Sequence, residues 1–201
     1  MPVFGSFVAE GDKAPAIAVD KVYTAVNKKE IPAFNRAGVS DTRESSIDYN
    51  KGTLRVSTPR TAGVCSLKKA DLSAGPLSVS GVTAFCSVSA SSMDGAELAS
   101  SKRVLVFHLT DVLNTGATFK STRRTDMTNW GELPYLAAAG EAKIALKNAN
   151  KGLKVWALAP DGTRLREIPA TYAEGAYHFT ARIAAGEGAN APTMAYELAD
   201  R

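Results

Sequence analysis

Hydrophobic and polar residues alternate along four short runs that lie beyond about residue 40 of the chain. Because successive side chains of a β-strand point to opposite faces, this period of two predicts antiparallel strands with one buried and one exposed face. In the first run we expect Thr53, Arg55 and Ser57 to face solvent. We expect the apolar members of all four runs to face a core: Leu54 and Val56; Ala142, Ile144 and Leu146; Tyr177, Phe179, Ala181 and Ile183; Met194, Tyr196 and Leu198.

Two other runs are apolar at every position. They are Val-Leu-Val-Phe at 104–107 and Val-Trp-Ala-Leu at 155–158. A short run without polar positions is typical of a strand that is covered on both faces, so we predict two central strands here. Trp156 is accordingly expected in the core.

Turn-forming residues separate these runs at regular intervals, and Gly permits the positive φ of a tight reversal. Many short strands without long helices between them predict an all-β fold, an antiparallel β-sandwich of the Ig-like or jelly-roll-like kind. A closed barrel is the main alternative. The turns are Asn50-Lys51-Gly52, Gly75-Pro76, Asp94-Gly95, Asp161-Gly162 and Glu174-Gly175.

The first 36 residues differ from the rest, because Gly and Pro interrupt them repeatedly. We interpret 1–36 as an N-terminal extension or linker and 37–201 as the sandwich domain. Helix is expected at most near the N-terminus, where Ile17 to Lys28 has a weak amphipathic pattern.

Composition limits the function classes. The chain has 201 residues, 45% of them hydrophobic, which suffices for one substantial core. Its formal charge is +4, and its densest basic cluster, Lys120 to Arg124, lacks interleaved aromatic residues. We therefore interpret the cluster as a solvated loop and predict no nucleic-acid partner.

No run approaches the ~20 apolar residues of a membrane-spanning helix, and we expect no signal peptide in the first residues. We predict no membrane partner.

The two cysteines, Cys65 and Cys86, lie in apolar runs and show no metal-binding spacing. We expect two buried free thiols, and one disulfide stays open as an alternative. The sequence indicates no metal site and no cofactor.

Catalytic motifs of the usual kinds are missing: the chain has neither G-x-S-x-G nor HExxH. His108 and His178 are single residues on predicted strands, and a lone strand histidine is more often structural than catalytic. The turn before Gly95 accounts fully for Asp94. No catalytic residue is predicted among these or among the other acidic residues of this half, which are Asp41, Glu44, Asp48 and Glu97.

Trp130 and Tyr135 lie in a segment with the pattern of a loop, Trp-Gly-Glu-Leu-Pro-Tyr. Exposed loop aromatics often mark binding surfaces, and a flat ring suits the C–H face of a sugar. These two residues are the candidate carbohydrate-binding residues. The alternative is that Trp130 closes one end of the sandwich.

Several motifs occur in an order that resembles one family. Val56 to Thr61 contains Thr-Pro-Arg-Thr, Ser92 to Ser101 resembles an "SLDG-x-PL-x-x-S" hairpin with Met93 and Glu97 in place of Leu and Pro, and Asn114-Thr115-Gly116 follows. With Trp130-Gly131 and the closing Met194 to Leu198, the chain resembles the C-terminal β-sandwich accessory domain of large bacterial glycoside hydrolases of the (β/α)8 class.

The resemblance implies a non-catalytic domain, either structural or engaged in carbohydrate or protein interaction. Its expected partners are a polysaccharide and a (β/α)8 catalytic domain, which 201 residues cannot themselves include because a barrel alone takes ~250. The compartment would be extracellular or periplasmic if the parent enzyme is secreted. Two other hypotheses stay open: a small β-fold glycan hydrolase with a carboxylate pair, and a β-barrel that binds a small ligand.

Overall fold

The computed structural model describes residues 37–40, 42–48, 50–66, 70–122, 124–186 and 191–200. The predicted extension 1–36 and its helix lie outside the described residues. The described part contains eighteen strands and no helix, which confirms the all-β prediction. The strands are β1 (Ala37–Val39), β2 (Ser45–Asp48), β3 (Thr53–Ser57), β4 (Thr61–Ser66), β5 (Leu72–Ala74), β6 (Leu77–Ser80), β7 (Cys86–Ser92), β8 (Arg103–Leu109), β9 (Val112–Thr115), β10 (Thr118–Phe119), β11 (Met127–Asn129), β12 (Glu132–Ala137), β13 (Gly140–Lys147), β14 (Lys154–Leu158), β15 (Arg164–Ile168), β16 (Ala170–Ala173), β17 (Ala176–Ile183) and β18 (Ala195–Ala199).

Two large sheets form the body of the domain. One has nine strands in the order β1-β2-β3-β4-β7-β8-β18-β14-β15, and the other has five in the order β16-β17-β13-β6-β5. Every described strand pair is antiparallel. The sheets are consistent with a sandwich, and the described strands do not close into a barrel. The barrel alternative is therefore wrong.

The core lies between the two sheets and is supplied by alternate residues of their strands. On β13, Ala142, Ile144 and Leu146 are buried while Lys143 and Lys147 are exposed. β17 follows the same pattern, as expected for a strand that covers a core with one face. β18 departs from it, because Glu197 and Ala199 on its other face are buried as well. The predicted inward residues of these two strands are buried at Tyr177, Phe179, Ala181, Ile183, Tyr196 and Leu198.

The turn prediction is confirmed at all five sites. Each of the predicted glycines has a positive φ, a conformation that costs glycine little because it has no Cβ. The angles are 63° at Gly52, 51° at Gly75, 79° at Gly95, 87° at Gly162 and 76° at Gly175.

The facing of β3 is the reverse of the expected one. Thr53 lies opposite Ser66 of β4 and is buried with it, whereas Leu54 lies opposite Cys65. Directly paired residues of an antiparallel ladder share a face, so Leu54 and Val56 point away from the core. The register against β4 decides the facing of β3, and the alternation within the run does not.

β8 is central in the nine-stranded sheet, between β7 and β18, as predicted. It is not covered on both faces, however. Val104 and Val106 are fully buried, while Phe107 and Leu109 on the other face are 36% and 41% exposed. The apolar run therefore supplies one core face and one partly exposed apolar face.

β14 also corrects an expectation. Val155 and Ala157 are in the core, but alternation puts Trp156 on the outer face of the nine-stranded sheet. There the indole is half-buried between two cations, with the Arg164 guanidinium 4.9 Å and the Lys154 ammonium 5.7 Å from the ring centroid. Trp156 therefore packs against the Arg164 and Lys154 side chains through cation–π contacts, and it is not part of the core.

A buried amide fastens the end of the β7–β8 hairpin to the end of β13. The Asn148 side chain donates to the carbonyls of Leu98, at 3.2 Å, and Ser101, at 2.8 Å. Asn148 is almost inaccessible to solvent, so its hydrogen bonds satisfy polar groups that water cannot reach.

Candidate functional site on an exposed arm

The connection between β8 and β13 forms a structure of its own, which we call the arm and define as residues 112–137. Within it β9 pairs with β12 and β10 pairs with β11, and neither pair belongs to a sandwich sheet. No arm residue that the structure describes is buried. The two candidate aromatic residues from the sequence both lie on this arm.

Trp130 and Tyr135 are 75% and 67% exposed. The alternative that Trp130 closes an end of the sandwich is therefore wrong. Asn114 of β9 connects the two positions, because it lies opposite Tyr135 in the ladder and its side-chain amide donates to the Trp130 carbonyl at 2.9 Å. The structure thus brings the two predicted residues to one end of the same hairpin.

Gly131 fixes the backbone beside Trp130. Its φ is +69°, and a Cβ at this position would lie 2.3 Å from the Thr115 carbonyl oxygen and 2.6 Å from the Ala117 nitrogen. Only glycine allows two chain segments to approach this closely. The Gly131 amide also donates to the Asn129 side chain at 3.1 Å. The indole is therefore presented to solvent from a tightly held crossing.

Further apolar side chains surround the two rings, and sequence reasoning missed them. Across the β9–β12 ladder Tyr135 pairs with Asn114 and Leu136 pairs with Leu113, so Tyr135 and Leu136 lie on opposite faces. Both faces of the arm are consequently apolar and accessible. The additional exposed residues are Val112 (45%), Met127 (38%), Leu133 (69%) and Leu136 (54%). The apolar Leu-Pro-Tyr-Leu run beside Trp130 marks Leu133 and Leu136 as apolar neighbours, but it carries no signal that they are exposed.

The basic cluster lies at the β10–β11 turn of the same arm. Lys120 is exposed, and Arg124 forms an ion pair with Asp111 at the base of the arm. The Arg124 guanidinium also lies 5.6 Å from the centroid of the Phe119 ring. The described members of the cluster are therefore solvent-facing, as predicted for a solvated loop.

Asp94 has the structural role that the sequence suggested. Its carboxylate accepts hydrogen bonds from the Ser101 hydroxyl at 2.8 Å, the Lys102 amide at 2.7 Å, the Ser92 hydroxyl at 2.9 Å and the Ala96 amide at 3.2 Å. These bonds, led by the one from Ser101, hold the pKa of Asp94 far below its usual value. A carboxyl with so low a pKa is not suited to act as a general acid.

Glu197 is the most buried carboxylate in the described chain. It accepts a hydrogen bond from Arg103 Nε at 2.7 Å on one oxygen and from Arg164 Nε at 2.8 Å on the other. Burial alone would raise its pKa, but the two arginines outweigh burial and the pKa is lowered. Glu197 thus bridges β8, β18 and β15 as a permanent anion.

Neither histidine belongs to an arrangement of described residues that is typical of a catalytic site. His108 is fully buried on the core face of β8, and neither ring nitrogen has a hydrogen-bond partner in the described structure. Burial lowers its pKa, so the ring is held neutral. His178 is exposed on β17 and its Nε2 lies 3.4 Å from the Ala173 carbonyl. Neither contacts a nucleophile or a carboxylate.

Two open clefts occur on the described surface. The larger, of about 540 Å³, lies on the outer face of the five-stranded sheet and has Glu167 as its one carboxylate. The smaller, of about 450 Å³, contains Glu197 and Asp200. Since both oxygens of Glu197 accept hydrogen bonds from arginines, neither cleft offers the acid and base that glycoside hydrolysis requires.

The other acidic candidates that the structure describes do not form a carboxylate pair in either cleft. Glu44 and Glu97 are exposed, Asp48 accepts hydrogen bonds from turn amides, and Asp41 lies outside the described residues.

Both cysteines are free thiols, and the disulfide alternative is wrong. Cys86 is buried as expected, whereas Cys65 is only half-buried. Ser66 pairs with Cys86 across β4 and β7, so Cys65 points to the face opposite that of Cys86. Burial raises the pKa of both thiols, which keeps them protonated and unreactive. In the described ranges, no group of three or more His, Cys, Asp or Glu side chains is arranged to hold a metal ion.

No described helix has the length and apolarity needed to cross a bilayer. No protein-family model matches the chain, and no curated protein or solved structure is similar enough to match it. The resemblance to glycoside hydrolase accessory domains therefore rests on the sequence motifs alone.

Proposed function

We propose that this chain is a non-catalytic β-sandwich accessory domain associated with a glycoside hydrolase, and that it acts through its arm. The observation that carries the proposal is the arm itself, which exposes large apolar side chains on both faces from a tightly held backbone. Soluble monomers rarely expose extended apolar surface without an interaction partner. The ordered motifs from Asp41 to Leu198 supply the link to glycoside hydrolases.

The hypothesis of a small glycan hydrolase is less well supported. The carboxylates of Asp94 and Glu197 are both occupied by structural hydrogen bonds, Asp94 at the end of the β7–β8 connection and Glu197 between Arg103 and Arg164. A general acid of a glycosidase needs a raised pKa, whereas these two pKa values are lowered.

Protein contact is the favoured mode of interaction. Four of the six large apolar residues exposed on the arm are aliphatic, and aliphatic side chains offer a sugar neither stacking nor hydrogen bonds. Polysaccharide binding is the second candidate. It is favoured by the exposure of Trp130 and Tyr135, with Asn114 beside them as a hydrogen-bonding group.

Three assays test this function. Affinity electrophoresis on a polysaccharide panel measures sugar binding, and reducing-sugar assays on the same panel measure hydrolysis. A capture experiment measures binding to the (β/α)8 hydrolase encoded in the same or a neighbouring reading frame. We expect no hydrolysis, and we expect any retention or capture to be lost in Trp130→Ala and kept in Phe85→Ala, which removes an exposed ring outside the arm. Sugar release by the purified chain would overturn the proposal. So would an arm that engages no polysaccharide, hydrolase or second copy.

A further inference from the structure

We infer that the partner of the arm is a second copy of this chain, and that two arms pack together in a two-fold dimer. The inference rests on the proposed role of the arm as the interaction surface and names its occupant. Such a dimer would bring two associated catalytic units together.

The arm is poorly stabilised by its own contacts. It consists of two-stranded ladders, β9 with β12 and β10 with β11, and none of its described residues is buried. Isolated two-stranded hairpins are at best marginally stable in water and need a packed face for independent stability. Among the described strands, each arm strand is paired with another strand along one edge only. A surface that covers the arm would supply both missing contributions.

The exposed area matches one half of a protein interface. The six apolar side chains are between 38% and 75% exposed. At about 200 Å² for each fully exposed large side chain, this corresponds to roughly 700 Å² for one copy. A standard interface buries about 800 Å² on each partner. Because these side chains lie on both faces of the arm, a contact that encloses both faces of each arm would bury nearly the area that a specific dimer needs. Phe107 and Leu109, on the strand that leads into the arm, are also exposed.

The charge of the arm suits self-association. The arm contains three basic residues, Lys120, Arg123 and Arg124, and two acidic ones, Asp126 and Glu132, and Asp111 at its base pairs with Arg124. The arm and Asp111 together are neutral, although the whole chain carries +4. In a two-fold contact each surface meets its own copy, so a charged patch would repel itself and a neutral one does not.

The composition of the arm argues against a sugar as the main occupant. A sugar stacks on one face of an aromatic ring and takes hydrogen bonds from polar neighbours. Leu133 and Leu136 contribute apolar area without hydrogen-bonding groups, and Leu136 lies on the face opposite Tyr135. A protein surface can cover both faces.

Sedimentation equilibrium and light scattering of the full chain across 1–200 µM (about the range of weak to moderate dimers) test the inference. The monomer mass is 21.2 kDa, and we expect twice that mass at the upper concentrations. Trp130→Ala and Leu133→Ser should each raise the dimer dissociation constant at least about tenfold, because central aromatic and apolar contacts dominate interface energy. The matched controls Phe85→Ala and Met93→Ser remove exposed apolar side chains outside the arm and should change it less than about twofold.

A second readout does not depend on variants of the arm. In a Trp156→Phe background Trp130 is the remaining tryptophan, so its emission should shift to the blue as the protein is concentrated. Far-UV circular dichroism of each variant confirms that the sandwich is folded.

A monomer at all concentrations overturns the inference. If that monomer binds a polysaccharide or a (β/α)8 hydrolase through Trp130, the proposed function survives and only the occupant is wrong. If the arm binds none of them, both proposals fail. A dimer unaffected by the two arm variants would have another interface and would likewise overturn the inference.

Discussion

The sandwich body and the arm use the same kind of strand in opposite ways. On β13, alternate residues such as Ile144 and Leu146 are inaccessible to solvent, because a second sheet covers one face. On β12, all six residues from Glu132 to Ala137 are exposed, because no sheet covers either face. The two regions contain similar apolar side chains, so the difference lies in what covers them. Stability should therefore be concentrated in the body and interaction in the arm.

Truncating one leucine in the body and one in the arm should give the largest difference in stability between the two regions. Leu146→Ala removes a fully buried side chain and should lower the free energy of unfolding by about 2–5 kcal/mol, since the lost contacts leave a cavity. Leu133→Ala removes an exposed side chain and should change it by less than about 0.5 kcal/mol in dilute solution. Urea unfolding followed by circular dichroism measures both. Equal losses would show that the arm is part of the core.

Removing the side-chain amide of one asparagine in the body and one in the arm should give a smaller difference in stability. Asn148→Ala removes the side-chain donor to the buried Leu98 carbonyl and the closer of two donors to the Ser101 carbonyl, which Asn150 also reaches at 3.3 Å, and should cost about 1–3 kcal/mol. Asn114→Ala removes the bond to the exposed Trp130 carbonyl, which water can replace, so the cost should be below about 0.5 kcal/mol. The same unfolding titrations compare them. A larger effect at Asn114 than at Asn148 would contradict the assignment of stability to the body.

The buried His108 should make the stability of the body depend on pH. Burial lowers the pKa of His108 in the folded state, so the unfolded chain binds a proton that the folded chain does not as pH falls below about 6.5. Stability should then decrease by at most about 1.4 kcal/mol for each pH unit. His108→Phe should reduce this slope. Melting temperatures between pH 7.5 and about 5 provide the measurement, and an unchanged slope in His108→Phe would contradict it.

Gly131→Ala should produce the smallest change in global stability and the most local one. The added Cβ collides with the Thr115 carbonyl, and the φ of +69° disfavours alanine. Amide exchange within 112–137 should accelerate, while the unfolding free energy of the body should fall by less than about 0.5 kcal/mol. Hydrogen exchange followed by mass spectrometry measures amide exchange in the arm separately from that in the body. Acceleration across β13 and β17 as well would show that arm and body unfold together.

The period-two pattern predicted the strands of the body well, but it failed where facing depends on a neighbour. β13 and β17 face the core as expected because both lie inside the five-stranded sheet. On β3, the ladder with β4 turned Thr53 inward and Leu54 outward. On β14, Trp156 lies under Arg164, on another strand, and a pattern within one strand cannot anticipate that contact.

The candidate site was predicted in part. The aromatic pair Trp130 and Tyr135 stood out because both lie in a segment rich in turn-forming residues. That Leu133 and Leu136 are exposed with them could not be predicted, since an apolar residue in a short strand is usually buried. Their exposure follows from the arm having no neighbouring sheet.

The sequence by itself determined that this protein is built from short antiparallel strands joined by glycine turns, because alternation and turn chemistry act between residues close in the chain. Only the tertiary structure decided which face of each strand is covered and that the segment between β8 and β13 remains outside both sheets. Burial depends on residues far apart in sequence, and a local pattern specifies two faces without specifying which one another sheet will cover.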